Sequence, residues 1–154
     1  MSRMIESPAA DAHICAIRVY YEDTDSEGIV YYANYLKFAE RARTELLRDL
    51  GFEQAILRAR HGMSFVVRRC TIDYRRPARL DDLLEVHSRI LKIGGASLSA
   101  RQSVRRGGED VADLIIDLAC IGENHRPVRM PASLRGALAK FSSGDAPILT
   151  AWQP

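Results

Sequence analysis

From residue 64 to residue 123 the chain alternates strand-like runs with turn-forming breaks, and this constrains its fold more than any other feature. Ser64–Tyr74, Asp82–Ile93, Ala96–Arg106 and Asp110–Glu123 read as strands. They are divided by Arg76-Pro77-Ala78-Arg79, Gly94-Gly95 and Gly107-Gly108. The two glycine pairs suit tight hairpin turns, so at least three of these strands run antiparallel. Leu114, Ile115 and Ile116, with Leu118, Ala119 and Ile121, predict a strand buried on both faces.

An earlier strand is expected over His13–Glu22, where Cys15, Ile17, Val19 and Tyr21 put apolar side chains at every second position. Between it and the later strands the period changes. From Asn34 to Leu50, Ala39, Ala42, Leu46 and Leu50 fall on one helical face, with Lys37, Arg41, Glu45 and Arg48 on others. Gly51 is placed to end that helix. A shorter helix is predicted over Glu53–Arg60, ending near Gly62. Pro127 and Pro131 break the chain before a last short helix, with Ser133 as its cap and Leu134, Leu138 and Phe141 on one side. One helix with a single apolar stripe, set among antiparallel strands, predicts an α+β fold in which one sheet wraps a long central helix. Residues 1–12 read as a loose arm, 13–141 as the domain and 142–154 as an irregular tail. A lone sheet layer leaves a surface or an edge to cover, so a homo-oligomer, dimer or tetramer, is expected.

At 154 residues and 47% hydrophobic content the chain suffices for one domain with a real core. Its 22 basic and 20 acidic side chains leave a net charge of +2, which gives no global field for nucleic acid. The arginines are nonetheless grouped: Arg68, Arg69, Arg75, Arg76 and Arg79 in one cluster, Arg101, Arg105 and Arg106 in another. Such groups are either solvated strand ends or a cradle for a phosphate-rich ligand, whose oxygens match guanidinium forks. Cys15, Cys70 and Cys120 are odd in number and lack metal-ligand spacing, which points to small core residues in a reducing compartment. No metal is expected. No run has the length of a signal peptide or membrane span, so a cytoplasmic protein is expected.

The chemistry is concentrated between Tyr20 and Arg48, in YYEDTDSEGIVYYANYLKFAERARTELLR. Asp23, Asp25, Glu27 and Gly28 match the opening of a calcium loop, but the twelfth position is Asn34 and a strand precedes the motif. A polar turn held by its own Asx-type hydrogen bonds accounts for several of these acids. A catalytic reading accounts for their attachment to a helix start. The first N–H groups of a helix have no internal partner, and with the positive end of the dipole they favour charge developing on a carbonyl oxygen. Asp25 would then attack that carbonyl or draw a proton from water.

This stretch resembles the signature of the hotdog-fold acyl-CoA thioesterases of the 4-hydroxybenzoyl-CoA thioesterase family. It is most similar to the branch associated with the Tol–Pal cell-envelope system. The likeness continues through SFVVRRCTIDYRRPARLDDLLEV and spans roughly residues 14–140. The resemblance implies that Asp25 is the catalytic carboxylate and that the Tyr32 N–H polarises the thioester carbonyl. It also implies coenzyme A as part of the substrate rather than as a cofactor, bound across a subunit interface. Gly28, Tyr31, Tyr35, Arg68 and Arg76 are then the substrate-binding candidates, and an acyl-carrier protein is a second possible thiol carrier. One departure stands out: the Tol–Pal branch has His after the Tyr of this motif, where this chain has Tyr32. A dehydratase would need a His near the motif, and His13, His61, His87 and His125 all lie elsewhere. A non-enzymatic acyl-CoA or carrier-protein binding protein at the envelope is the alternative. Asp73 and Glu40 are further acids, expected in ion pairs with nearby arginines.

Overall fold

The computed structural model describes residues 12–142. Five strands form one sheet: β1 (His13–Arg18), β2 (Ser64–Tyr74), β3 (Leu83–Ile93), β4 (Ser97–Arg106) and β5 (Glu109–Ile121). Their spatial order is β1-β3-β4-β5-β2, with every neighbouring pair antiparallel. The first two strands therefore lie on opposite edges, and the chain must cross the sheet to join them. It crosses as α1 (Asn34–Asp49) and α2 (Gln54–His61). This is the predicted sheet around a long helix. A third helix, α3 (Ala132–Leu138), follows the sheet.

Helix α1 lies on the sheet through a narrow apolar stripe. Phe38, Ala39 and Ala42 are wholly buried, and Leu46 and Leu47 nearly so. The two alanines let the helix backbone approach the sheet, while Phe38 fills the space beside them. Opposite them, alternate residues of the inner face are buried: Leu84 and Val86 on β3, Val104 on β4, Leu114 and Ile116 on β5. One polar side chain is buried among them. Gln102 of β4 donates from Nε2 to the Ala39 carbonyl and to Ser88 Oγ, both at 3.0 Å, and accepts from Arg43 Nη1 at 2.9 Å. With every bond made, Gln102 adds directional links to a contact that apolar packing alone leaves free to slide.

The outer face carries charge. Arg101 grips Asp113 with two bonds, Nε at 3.0 Å and Nη2 at 2.8 Å, and Ser103 Oγ adds a third at 3.1 Å. Asp113 is thereby buried to 4% exposure on a face otherwise turned outward. Hence β5 differs from the expected strand: its inner positions are apolar, but its outer ones mix half-buried Ile115 and Ala119 with carboxylates.

Several other expectations need correction. The first strand ends at Arg18, and Tyr21–Asp23 form a 3-10 turn instead of its last residues. The cause is Asp23, whose Oδ2 accepts the Tyr20 N–H at 2.8 Å and pulls the chain round. Tyr21 consequently stands 82% exposed. Ser133 does not cap α3: Pro131 takes that position, and Ser133 is an exposed residue within the helix. Among the described residues Asp73 and Glu40 make no ion pair. Of the arm expected over 1–12 and the tail expected over 142–154, residues 1–11 and 143–154 lie outside the described residues. No described helix is long and apolar enough to cross a membrane.

Candidate active site

The acidic motif folds as a miniature hairpin against the head of α1. Thr24 bridges Val30 in antiparallel fashion, the Asp25 N–H donates to the Ile29 carbonyl at 2.9 Å, and the Gly28 N–H donates back to the Asp25 carbonyl at 3.0 Å. Gly28 adopts φ +76°, a conformation that side-chain-bearing residues avoid. The Asp25 side chain belongs to this turn through Oδ1, which accepts the Glu27 N–H at 2.9 Å. Its other oxygen has no partner among the described residues. Asp25, Thr24, Gly28, Tyr21 and Leu80 line an open depression.

Asp23, the first acid of the Asp-Thr-Asp triplet, holds the motif to the helix. Its carbonyl accepts the Tyr31 N–H at 2.9 Å and Asn34 Nδ2 at 2.8 Å. A third element braces the hairpin from outside. The Val30 N–H donates to the Ala78 carbonyl at 2.8 Å, and Ile29 pairs with Arg79. The loop carrying Ala78 is fixed in turn by Asp82, whose Oδ2 accepts the Arg79 N–H and Arg106 Nη1, both at 2.8 Å. Burial alone would raise the Asp82 carboxyl, but the Arg106 bond, the Arg79 N–H and the two guanidinium charges outweigh it and leave it below the usual carboxylate value.

Helix α1 begins with no side-chain cap. The Asn34 N–H turns back to the Tyr31 carbonyl at 2.8 Å, while the N–H groups of Tyr32 and Ala33 find no acceptor among the described residues. Two open donors at a helix start form a site for negative charge. The Tyr32 carbonyl accepts the Tyr74 hydroxyl at 3.0 Å, so β2 holds this peptide from the far side.

Among the other predicted site residues, Tyr31 and Tyr32 are exposed, with ring centroids 4.7 Å apart. Tyr35 is buried to 3% exposure, and its hydroxyl accepts the Ala78 N–H at 3.2 Å, which is a packing role. Arg68 lies at the bulge where β2 shifts register against β5, away from the hairpin in sequence and exposed. Arg76 follows β2 and faces Glu109 at 3.6 Å. The structure thus joins Asp25, Gly28, Tyr31 and Tyr32 in one loop-helix junction and leaves the two arginines on the β2 side. Asn34, Tyr74 and Asp82 are the supporting residues that sequence reasoning missed. Asn34 alone left a signal, as an amide at the head of an otherwise apolar helix face.

One antiparallel sheet wrapped around one long helix defines a hotdog fold. A family model described as "Thioesterase superfamily" matches residues 27–112. The chain belongs to the thioesterase superfamily and is a thioester hydrolase. It is 41% identical over 122 residues to the acyl-CoA thioesterase YbgC of Haemophilus influenzae, covering 79% of this chain and 90% of that protein. It is 51% identical over 88 residues to the acyl-CoA thioester hydrolase YbgC of Escherichia coli O6:H1, covering 57% and 65%. A crystal structure of a probable thioesterase from Bartonella henselae superposes with a TM-score of 0.76 at 39% identity, covering 78% of this chain and 99% of that one.

Proposed function

We propose that the protein hydrolyses acyl-CoA thioesters to a carboxylic acid and coenzyme A, with Asp25 as its catalytic carboxylate. The observation that carries this reading is the pair of unpartnered N–H groups at Tyr32 and Ala33, in the same junction as Asp25. A thioester oxygen seated on them gains most as it becomes an oxyanion, and loss of one such donor costs about 100- to 1,000-fold in kcat. On the general-base route, Asp25 takes a proton from water as the oxygen bonds to the acyl carbon. The carbon–sulfur bond then breaks, and the thiolate leaves with that proton. On the nucleophilic route, Asp25 attacks the acyl carbon, the carbon–sulfur bond breaks to release the thiolate, and water then opens the mixed anhydride to the free acid and the restored carboxylate. Names of relatives at 41% and 51% identity support coenzyme A as the carrier. The exposed Arg68 and Arg76 suit its phosphates.

The length of the motif at residues 20–48 supports a place beside the Tol–Pal-associated branch. The exposed Val66 and Val67 of edge strand β2 support pairing with a second copy.

The test is thiol release from short-chain, long-chain and aromatic acyl-CoAs by wild type and Asp25→Asn. Turnover in wild type that falls by at least about 100-fold in the variant is expected. Equal turnover in both would overturn the role of Asp25. Acyl-CoA binding without turnover in wild type would favour a binding protein instead. In a single turnover in heavy-oxygen water, label found in Asp25 would establish the nucleophilic route.

A further inference from the structure

On the face of the sheet turned away from α1, a polar depression of about 220 Å³ opens over β3 and β4. Strand alternation puts it there. Val86, Ser88, Gln102 and Val104 are buried on the helix side, so His87, Arg89, Arg101, Ser103 and Arg105 fall on the other. All five of those outward residues line the depression, together with Asp110. The Asp25 junction uses none of them.

The register sets two like charges face to face. Arg89 on β3 is directly opposite Arg101 on β4, an arrangement that destabilises a strand pair when nothing offsets it. Arg101 spends its Nε and Nη2 on Asp113. Arg75 approaches the same Asp113 at 3.8 Å, so one carboxylate serves two guanidiniums. Arg105 uses the same edge of its own guanidinium: Nε lies 3.2 Å from Asp110 Oδ1, and Nη2 donates to the Gly108 carbonyl at 2.9 Å. In Arg101 and Arg105 alike, Nη1 is left without an acceptor among the described residues. Arg89, half-buried, makes no side-chain hydrogen bond and meets no carboxylate within 4.0 Å among them. Glu85 stands opposite Arg105, and its carboxylate is 3.9 Å from His87 Nε2.

The lining therefore sets three guanidiniums against one carboxylate. Two of the three are pinned by their own partners with one amino group free, and the third has its whole fork free. Donors fixed in advance cost little to order when a ligand arrives, and guanidinium forks match phosphoryl oxygens. The Ser103 hydroxyl adds no donor, because Asp113 takes it at 3.1 Å. A carboxylate offers two oxygens, whereas a phosphoryl group offers three, one for each guanidinium.

We infer that this depression is a binding site for the phosphoryl group of a small phosphorylated ligand, seated on the Arg89 fork and on the free Nη1 groups of Arg101 and Arg105. The bound dianion offsets the repulsion between Arg89 and Arg101. Inorganic phosphate and a phosphate monoester share the chemistry that the site recognises. The site stands on binding alone, and a failure to hydrolyse thioesters leaves it intact.

The experiment is calorimetric titration with inorganic phosphate, methyl phosphate and acetate, made in Arg68→Gln/Arg76→Gln so that the arginines offered to coenzyme A stay out of the signal. Phosphate and methyl phosphate are each expected to bind one site per chain, with acetate at least about tenfold weaker. Either order of the two phosphates supports the site, and the tighter one names the free anion or the ester as its ligand. Adding Arg89→Gln should weaken both at least about tenfold at an unchanged melting temperature, since the arginine has no partner to lose. Arg89→Glu should abolish binding. In the otherwise wild-type enzyme, Arg89→Gln should leave KM for acyl-CoA unchanged. Unchanged phosphate affinity in Arg89→Gln would overturn the proposal, as would acetate binding as tightly as phosphate. So would a raised KM, which would give Arg89 to the phosphates of coenzyme A, or absence of phosphate binding at millimolar concentration.

Discussion

The Asn34 side chain donates to the Asp23 carbonyl at 2.8 Å, so the first residue of α1 grips the acidic hairpin by its backbone. The contact is buried on the Asn34 side, which is 8% exposed. Asn34→Ala deprives the carbonyl of one of its two donors, and should cost about 1–3 kcal/mol of stability. Asn34→Asp should cost more, because a carboxylate oxygen then faces the carbonyl oxygen. Urea unfolding measures both. The corresponding loss in kcat should exceed that expected from the unfolded fraction, since the hairpin carries Asp25.

Tyr74→Phe isolates the bond from β2 to the Tyr32 peptide. The ring keeps its edge contacts with Tyr32 and Tyr35, at centroid distances of 6.2 and 5.5 Å. Only the hydroxyl bond is lost, worth about 0.5–1.5 kcal/mol. Thioester turnover should drop about 3- to 10-fold with a melting temperature close to wild type.

Tyr32→His and Tyr32→Ala leave the backbone N–H in place. If that group is the oxyanion donor, kcat in both should stay within about tenfold of wild type. Changes should appear instead in KM and in the ranking of acyl-CoAs, because the exposed Tyr32 ring borders the junction. A loss of 1,000-fold in both variants would assign the chemistry to the phenol.

His87 predicts a pH effect unrelated to catalysis. Burial lowers its pKa; Glu85 opposes this, and Arg105 and Arg89 add to it. Its Nε2 is buried with no hydrogen-bond partner among the described residues, the nearest carboxylate oxygen being that of Glu85 at 3.9 Å. The unfolded chain therefore binds the proton near pH 6.5, and the folded protein only at lower pH. The neutral imidazole's contribution is complete above about pH 6.5 and is lost as pH falls toward the folded-state value. Urea midpoints of His87→Gln should decline less than those of wild type as pH falls from about 7.5 to 5.

Asp82 acts at the acid end of the scale. With its carboxyl held below the ordinary value of about 3.9, its stabilising bonds to Arg79 and Arg106 persist above that pH and fail as pH falls below it. Asp82→Asn should weaken the brace on Val30 at neutral pH, seen as faster amide exchange at Val30.

The architecture was legible because its signals are local. Gly94 and Gly107 sit in the turns between β3 and β4 and between β4 and β5, and Gly51 and Gly62 follow their helices at φ +82° and +58°. Strand β2 begins and ends where its composition says. The junction was legible as far as the Asp-Thr-Asp triplet and the helix start. What escaped depends on partners distant in sequence. Tyr21 alternates correctly for a strand, but the Asp23 carboxylate competes for the backbone and wins. Asp113 looks misplaced in an apolar run until β4 sets Ser103 across from it and Arg101 diagonally beside it. The Tyr74 bond spans 42 positions, and no periodicity reports it.

Gln102 joins the Ala39 carbonyl to β4 from beneath the middle of α1. A helix seated only by Phe38, Ala42 and Leu46 could roll about its own axis at small cost in apolar contact. The amide stops that roll, and a rigid helix delivers the constraint to its own tip. The direction in which the Tyr32 and Ala33 amides aim is thus set by a side chain that touches neither, and a substitution at position 102 should misalign the reaction without altering anything near it.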